Sequence, residues 1–215
     1  MENQLVQNVY FGSSVYTVKA PQFLEAVRAV SAEALAVSRP PKKNKLYPSV
    51  MTVPYGNDPR IAEFAAYVSQ TAWNILQAQG YAMESHVTVL GEMWTQEHLK
   101  TGGMEPHVHG QGIQVCAFYF LDCPPDCGRL VVQDPRPGRL ATMLPQQNMN
   151  NLTEATDSVY FAPEEGLLVF TNAWLSHSIT RNASDKPFRF THMNIATLPA
   201  VLAPVKPEKA EVEVV

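Results

Sequence analysis

Residues 105–121 read EPHVHGQGIQVCAFYFL, and two signals meet in them. The second half, Gln114–Leu121, is apolar on both faces, the pattern of a strand covered from two sides rather than of a wet edge. In the first half, His107 and His109 stand two residues apart just before that strand. Side chains two apart on an extended chain point to the same side. The segment therefore predicts a two-layer β arrangement with two imidazoles presented to one point at its mouth.

Working outward, similar short segments rich in Val, Phe, Tyr and Ile lie on both sides. HVTVLGEMW (86–94) precedes it; GRLVVQ (128–133), DSVYFA (157–162), GLLVFT (166–171) and FRFTHMNIATL (188–198) follow. Turn signals separate them: TGG, CPPDCG, DPRPG and NASDKP. Upstream the period changes. PQFLEAVRAVSAEALAV (21–37) repeats apolar residues at helical spacing through Leu24, Val27, Val30 and Ala34, with Glu25, Arg28 and Glu33 opposite. Asp58-Pro59 reads as an N-cap followed by the first helical position. Behind it Ile61, Phe64, Val68, Ala72, Ile75 and Leu76 form one stripe, ending at Gly80 as a left-handed cap. VYFGSSVYTV (9–18) reads as a strand or hairpin. Two helices followed by a run of strands predict a mainly β (α+β) fold: a double-stranded β-helix, or cupin-like jelly roll, from about Tyr81 to about Leu198, with both helices packed on one outer face. One domain over residues 1–205, with a charged tail at 206–215, fits the lack of repeats and linkers. The basic loop around Lys42, Lys43 and Lys45 reads as solvated surface.

Composition narrows the class. At 215 residues with 46% hydrophobic and 17% charged residues, the chain can bury a core. A net charge of −4 argues against neutralising nucleic-acid phosphates as its main task. No apolar run approaches the roughly 20 residues of a membrane-spanning helix, and the N-terminus shows no basic region ahead of an apolar one. Cys116, Cys123 and Cys127 are an odd number and read as reduced thiols. The expectation is a cytoplasmic protein that does not enter membranes, with homodimerisation open.

A third histidine, His177, lies near the end of the apolar segment GLLVFTNAWLSHSI. Distant strands that meet in a jelly roll can bring one late ligand to an early pair, and imidazole suits iron, zinc, copper and nickel. Arg189, in KPFRFTHMNI, alternates with apolar neighbours and reads either as a pocket residue able to pair with a carboxylate or as a structural arginine at a strand edge. Trp174 reads as core, or as the wall of a substrate pocket. His86, His98 and His192 read as hydrogen-bonded structural histidines. Cys123 and Cys127 read as loop thiols rather than half of a zinc site. No phosphate loop, nucleophile elbow or dinucleotide fingerprint is present.

Taken in order, the His-x-His pair, VCAFYFLDCP, GRLVVQDPRP, APEEGLLVFTNAWLSHSITRN and DKPFRFTHMN resemble the iron(II)/2-oxoglutarate-dependent oxygenases of bacteria and phages. The resemblance extends to VYFGSSVYTVKAPQFLEAV and to EMWTQEHLKTGGMEPHVH. It implies a dioxygenase, an oxidoreductase using Fe(II), O2 and 2-oxoglutarate as cosubstrate to hydroxylate its substrate. It makes His107, His109 and His177 the metal ligands, with no catalytic residue beyond them. Arg189 becomes the anchor for the far carboxylate of 2-oxoglutarate, and Tyr119 and Asn194 become weaker lining candidates. One departure stands out. The wider superfamily places Asp or Glu where His109 stands, so Glu105 remains an alternative third ligand. Two other readings stay open: a cupin-type three-histidine dioxygenase or isomerase without 2-oxoglutarate, and a non-catalytic, phage-associated jelly-roll binding protein. A peptide side chain, a nucleobase and a small metabolite all remain possible substrates.

Overall fold

The computed structural model describes residues 6–39, 46–141 and 144–202. The Lys42, Lys43 and Lys45 loop and the 206–215 tail lie outside the described residues. The predicted first helix begins with a 3-10 turn at Pro21–Phe23 and continues as α1 (Leu24–Ser38). The second is capped as expected: the Asp58 carboxylate accepts from the Arg60 N–H, and Pro59 opens a 3-10 turn. It continues as α2 (Ala62–Ala78). Its end is closed by Gly80 at φ +93°, while the Tyr81 N–H donates to the Leu76 carbonyl at 3.2 Å, the long bond of a Schellman cap.

The strands are β1 (Val15–Lys19), β2 (Ser49–Met51), β3 (His86–His98), β4 (Met104–His107), β5 (Ile113–Asp122), β6 (Leu130–Gln133), β7 (Ser158–Phe161), β8 (Leu167–Asn172), β9 (His177–Ile179) and β10 (Phe188–Pro199). They form a six-stranded sheet in the order β1-β8-β5-β10-β3-β2 and a four-stranded sheet in the order β4-β9-β6-β7. Every pairing is antiparallel. This is the predicted double-stranded β-helix, and both helices pack on the outer face of the large sheet. Of the opening VYFGSSVYTV, only Val15–Lys19 is strand, added to the sheet edge beside β8.

Strand alternation sorts the large sheet into two faces. Val115, Ala117, Tyr119 and Leu121 of β5, with Met93, Met193 and Ile195, bury themselves against Val27, Val30, Phe64, Val68 and Ala72 of the helices. Cys116, Phe118 and Phe120, with Phe188 and Phe190 of β10, face inward and pack with Leu130 and Ile179 of the small sheet. Two apolar cores thus share one sheet, which explains why QVCAFYFL is apolar throughout.

Candidate metal centre

His107 ends β4 and His177 begins β9, and the two are direct partners across that antiparallel pair. His109 lies just beyond β4, where its backbone N–H donates to the Ala173 carbonyl at 2.9 Å in the turn leading to His177. Local pairing, rather than chain proximity, therefore brings the three rings together. Their centroids are 5.1 Å apart for His107 and His109, 4.5 Å for His107 and His177, and 5.2 Å for His109 and His177.

Hydrogen bonds fix which nitrogen each ring offers. His107 Nδ1–H donates to the Glu105 carbonyl at 2.8 Å, and His177 Nδ1–H donates to the Leu175 carbonyl at 3.0 Å. Each ring is left with a free lone pair on Nε2, the arrangement in which an imidazole is oriented for a metal by its other nitrogen. The Nε2 atoms of His109 and His177 are buried and have no hydrogen-bond partner. Burial pushes the His177 imidazole down to about 4, against the pull of its Leu175 hydrogen bond. Burial, helped by the neighbouring His107, also lowers His109, while Glu92 opposes the shift. Neutral imidazoles with unshared lone pairs in a buried site could hold a metal ion, and iron fits this donor set.

The structure also brings in a residue that the sequence reading set aside. His192, on β10, is fully buried, and neither of its ring nitrogens has a partner. Ligand atoms of His109, Cys116, His177 and His192 all lie within 4.8 Å of one another. A signal for it existed: His192 shares strand parity with Phe188, Phe190 and Asn194.

Arg189 and Tyr119 call for correction. Arg189 projects from the helix side of the sheet. Its Nε donates to Glu97 at 2.7 Å and its Nη1 to Asp122 at 2.8 Å. The same two carboxylates receive Arg39, just past the end of α1, and Arg28 from within α1. It is thus the structural arginine of the two readings, because the inward positions beside it belong to Phe188 and Phe190. Tyr119 faces the helices as well; its hydroxyl donates to the Ala20 carbonyl at 2.7 Å and its ring meets Phe64. Asn194 does face the cluster: its Oδ1 accepts from Cys116 Sγ at 3.8 Å, and its Nδ2 donates to Glu92 at 3.1 Å.

The remaining candidates fall outside the centre. Glu105 turns away to pair with Arg181 at 2.5 Å, so the cluster gains no carboxylate from it. His98 is the structural histidine expected, bound to Ser49 Oγ at 2.6 Å and Gln96 Oε1 at 3.2 Å. His86 lies at the far end of β3, and Trp174 is half exposed. Cys123 and Cys127 are free, partly buried thiols. A cavity of about 490 Å³ opens beside β6 and β7, lined by Phe11, Val15, Val132, Arg136, Phe161 and Leu175 among others, but none of the clustered imidazoles lines it.

Residues 92–192 match the family model described as "Putative 2OG-Fe(II) oxygenase". Over that segment the chain is similar to the 2OG-Fe(II) oxygenases. Its bounds run from Glu92 to His192 and enclose all four clustered histidines. Fe(II) and 2-oxoglutarate are the cofactor and cosubstrate that go with this family, whose members are oxidoreductases. Solved 2OG-Fe(II) oxygenases share the fold. A prolyl-4-hydroxylase from Pseudomonas putida is 13% identical, covering 86% of this chain and 92% of its own, with a TM-score of 0.58. HygX from Streptomyces hygroscopicus, solved with nickel, 2-oxoglutarate and hygromycin B, is 13% identical over 86% and 83%, with a TM-score of 0.54. The viral collagen prolyl hydroxylase of Paramecium Bursaria Chlorella virus-1 is 10% identical over 86% and 96%, with a TM-score of 0.55. No curated protein sequence matches the chain. No helix among the described residues is long and apolar enough to cross a membrane.

Proposed function

We propose that His107, His109 and His177 hold the iron of a 2-oxoglutarate-dependent oxygenase that hydroxylates an organic substrate. The observation that carries the assignment is the convergence of three rings, two of which bury unpartnered Nε2 atoms. Bound iron would supply the activation of O2 that no amino-acid side chain provides, together with the positive charge that draws in the cosubstrate. The chain's part is to orient and to exclude water. The Glu105 and Leu175 carbonyls set the tautomers of His107 and His177. Phe118 meets the His177 ring edge to face at 5.1 Å and closes the inner wall.

The fit is good for the metal and poor for the far carboxylate of the cosubstrate. Arg189 is the sole Lys or Arg on strands β2–β10, and it lies on the helix face. The inner face beyond the histidines is built from Phe118, Phe120, Phe188 and Phe190. Iron-free protein should therefore not bind 2-oxoglutarate, whereas the iron-loaded protein should. Anaerobic calorimetry decides both points. Fe(II) should bind once per chain, His109→Ala and His177→Ala should abolish that binding, and His86→Ala should not. The same aromatic wall favours a second reading, a three-histidine oxygenase without 2-oxoglutarate. Iron-loaded protein that ignores the cosubstrate would establish that reading instead.

A further inference from the structure

Among the described residues, seven buried side-chain nitrogens and oxygens have no hydrogen-bond partner, and five of them belong to four neighbouring rings. Two are the Nε2 atoms of His109 and His177, which the metal site accounts for. The other three are Trp94 Nε1 and both ring nitrogens of His192. Most buried polar side-chain atoms find a partner, so orphans side by side ask for a common cause. Register makes them neighbours. Trp94 of β3 and His192 of β10 are direct partners across that antiparallel pair, and paired residues present their side chains to the same face. The two rings meet at 4.6 Å. That face is the inner one, because His192 stacks on Phe118 at 4.5 Å and 23°. From there His192 stands 4.9 Å from His109, 5.7 Å from His177 and 6.5 Å from His107, beside the three rings rather than among them.

The chemistry of this pair is that of hydrogen-bond donors. An indole Nε1–H can only donate, and an imidazole in either tautomer carries at least one N–H. Both lie in a wall otherwise built from Phe118, Phe120, Phe188 and Phe190, where no solvent competes and an N–H is worth more to an anion than it is in water. The protein itself gives them no acceptor. A carboxylate suits them, since it accepts at two oxygens and donates nothing.

We propose that Trp94 Nε1–H and a His192 ring N–H together receive the far carboxylate of 2-oxoglutarate, on an inner wall whose strands offer it no Lys or Arg. This rests on the 2-oxoglutarate reading above and adds a pair of residues to it. His107, His109 and His177 remain the protein ligands, so no coordination position is taken from the cosubstrate or from O2. Donors without a fixed charge also agree with the expectation that iron-free protein does not bind the cosubstrate. The metal's charge supplies the first hold, and the two hydrogen bonds select the acid that has a second carboxylate.

The test compares 2-oxoglutarate with 2-oxopentanoate, which keeps the 2-oxo acid end and lacks the far carboxylate, by anaerobic calorimetry on Fe(II)-loaded protein. One hydrogen bond is worth about threefold to tenfold in affinity, and more when it goes to a charged group. The unmodified protein should therefore prefer 2-oxoglutarate by at least about tenfold. Trp94→Phe and His192→Phe, which keep an aromatic ring in each place and remove the N–H, should each cut that preference at least about threefold. The double variant should abolish it, with the affinities for Fe(II) and for 2-oxopentanoate unchanged. A preference that survives in both variants, or a variant that weakens the two acids equally, would overturn the pair and leave the 2-oxoglutarate reading standing. Iron-loaded protein that binds neither acid would bring down that reading and the pair with it.

The unmodified protein decides the matter even if a variant does not fold. Of its three tryptophans, Trp73 already donates its Nε1–H to the His86 carbonyl at 2.9 Å, and Trp174 is half exposed. In Zn(II)-loaded protein, 2-oxoglutarate should shift the nuclear magnetic resonance of the Trp94 indole N–H, and 2-oxopentanoate should not. A resonance that both acids move alike, or that neither moves, would overturn the pair.

Discussion

Replacing Arg189 by Ala separates the two roles this residue was open to. In the structure it joins Glu97, whose side chain is only 3% exposed, to Asp122. Removing one partner of a fully buried pair costs about 3–5 kcal/mol. Here the loss is smaller, because Glu97 keeps Arg39 at 2.7 Å, Asp122 keeps Arg28 at 3.2 Å, and Arg189 itself is 30% exposed. A cost of about 1–3 kcal/mol follows from hydrogen bonds to charged groups discounted for solvent screening. For a chain of this size that lowers Tm by roughly 2–4 °C per kcal/mol. Thermal denaturation should show the loss, and anaerobic titration should show Fe(II) affinity unchanged. Glu97→Gln in the same background should restore part of the stability, because an amide leaves no buried charge behind. An unchanged Tm combined with a tenfold or greater loss of 2-oxoglutarate binding would refute this reasoning and return Arg189 to the cosubstrate.

Two further perturbations follow from burial. Burial pushes His98 and His177 down to about 4; the unfolded chain therefore takes up protons first as pH falls from about 6.5 to 4, and metal-free stability should drop through that window by about 3 kcal/mol per histidine. Urea denaturation at pH 7, 5.5 and 4.5 checks this, and a flat profile would mean that neither ring is held neutral by the fold. At Gly128 a Cβ would stand 2.6 Å from the Thr180 carbonyl and 3.3 Å from Phe188 Cδ1. Gly128→Ala should thus cost about 1–3 kcal/mol, and a thermal scan indistinguishable from the unmodified protein would contradict the packing described.

The fold was largely legible because its signals are local. The α2 stripe from Ile61 to Leu76 is buried throughout, and both the Asp58 cap and the Gly80 cap form. The convergence of His107, His109 and His177 was legible for a similar reason: His-x-His has the period of an extended chain, and His177 falls at a strand start. Arg189 and Tyr119 were misread because their faces depend on registers that no motif announces. Parity held part of the answer. Arg189 and Asn194 are an odd number of residues apart on one strand, so both reach the metal only if a bulge lies between them. No residue is inserted in β10 between them: the register shifts beside it leave Gly91 of β3 and Leu121 of β5 unpaired, on the partner strands, so Arg189 stays on the outward face. His192 was expected to be hydrogen-bonded but has no partner at either ring nitrogen; a single histidine has no periodic signature, and such orphan nitrogens show only once the surrounding strands are in place.

The same parity assigns the two faces of β10 to different tasks. Arg189, Thr191, Met193 and Ile195 face the helix side of the sheet: Arg189 meets the carboxylates it shares with Arg28 and Arg39, Thr191 meets the hydroxyl of Tyr55 in the loop before α2 at 3.0 Å, and the last two join the apolar core. Phe188, Phe190, His192 and Asn194 face the inner wall and the histidine cluster. Charge follows the division, with the arginine-carboxylate network outside and neutral imidazoles and phenyl rings inside. A carboxylate in place of His109 would neutralise part of a bound ion's charge directly, whereas here the nearby Glu92 is held by Asn194. Histidines alone would leave a bound ion its full charge for an incoming anion, and the apolar wall of Phe118, Phe120, Phe188 and Phe190 offers no second cation. Substitutions at the outward positions of β10 should accordingly act on stability, and those at the inward positions on the packing around the histidine cluster, because an antiparallel strand packed on both sides cannot exchange its faces without breaking every pair it makes.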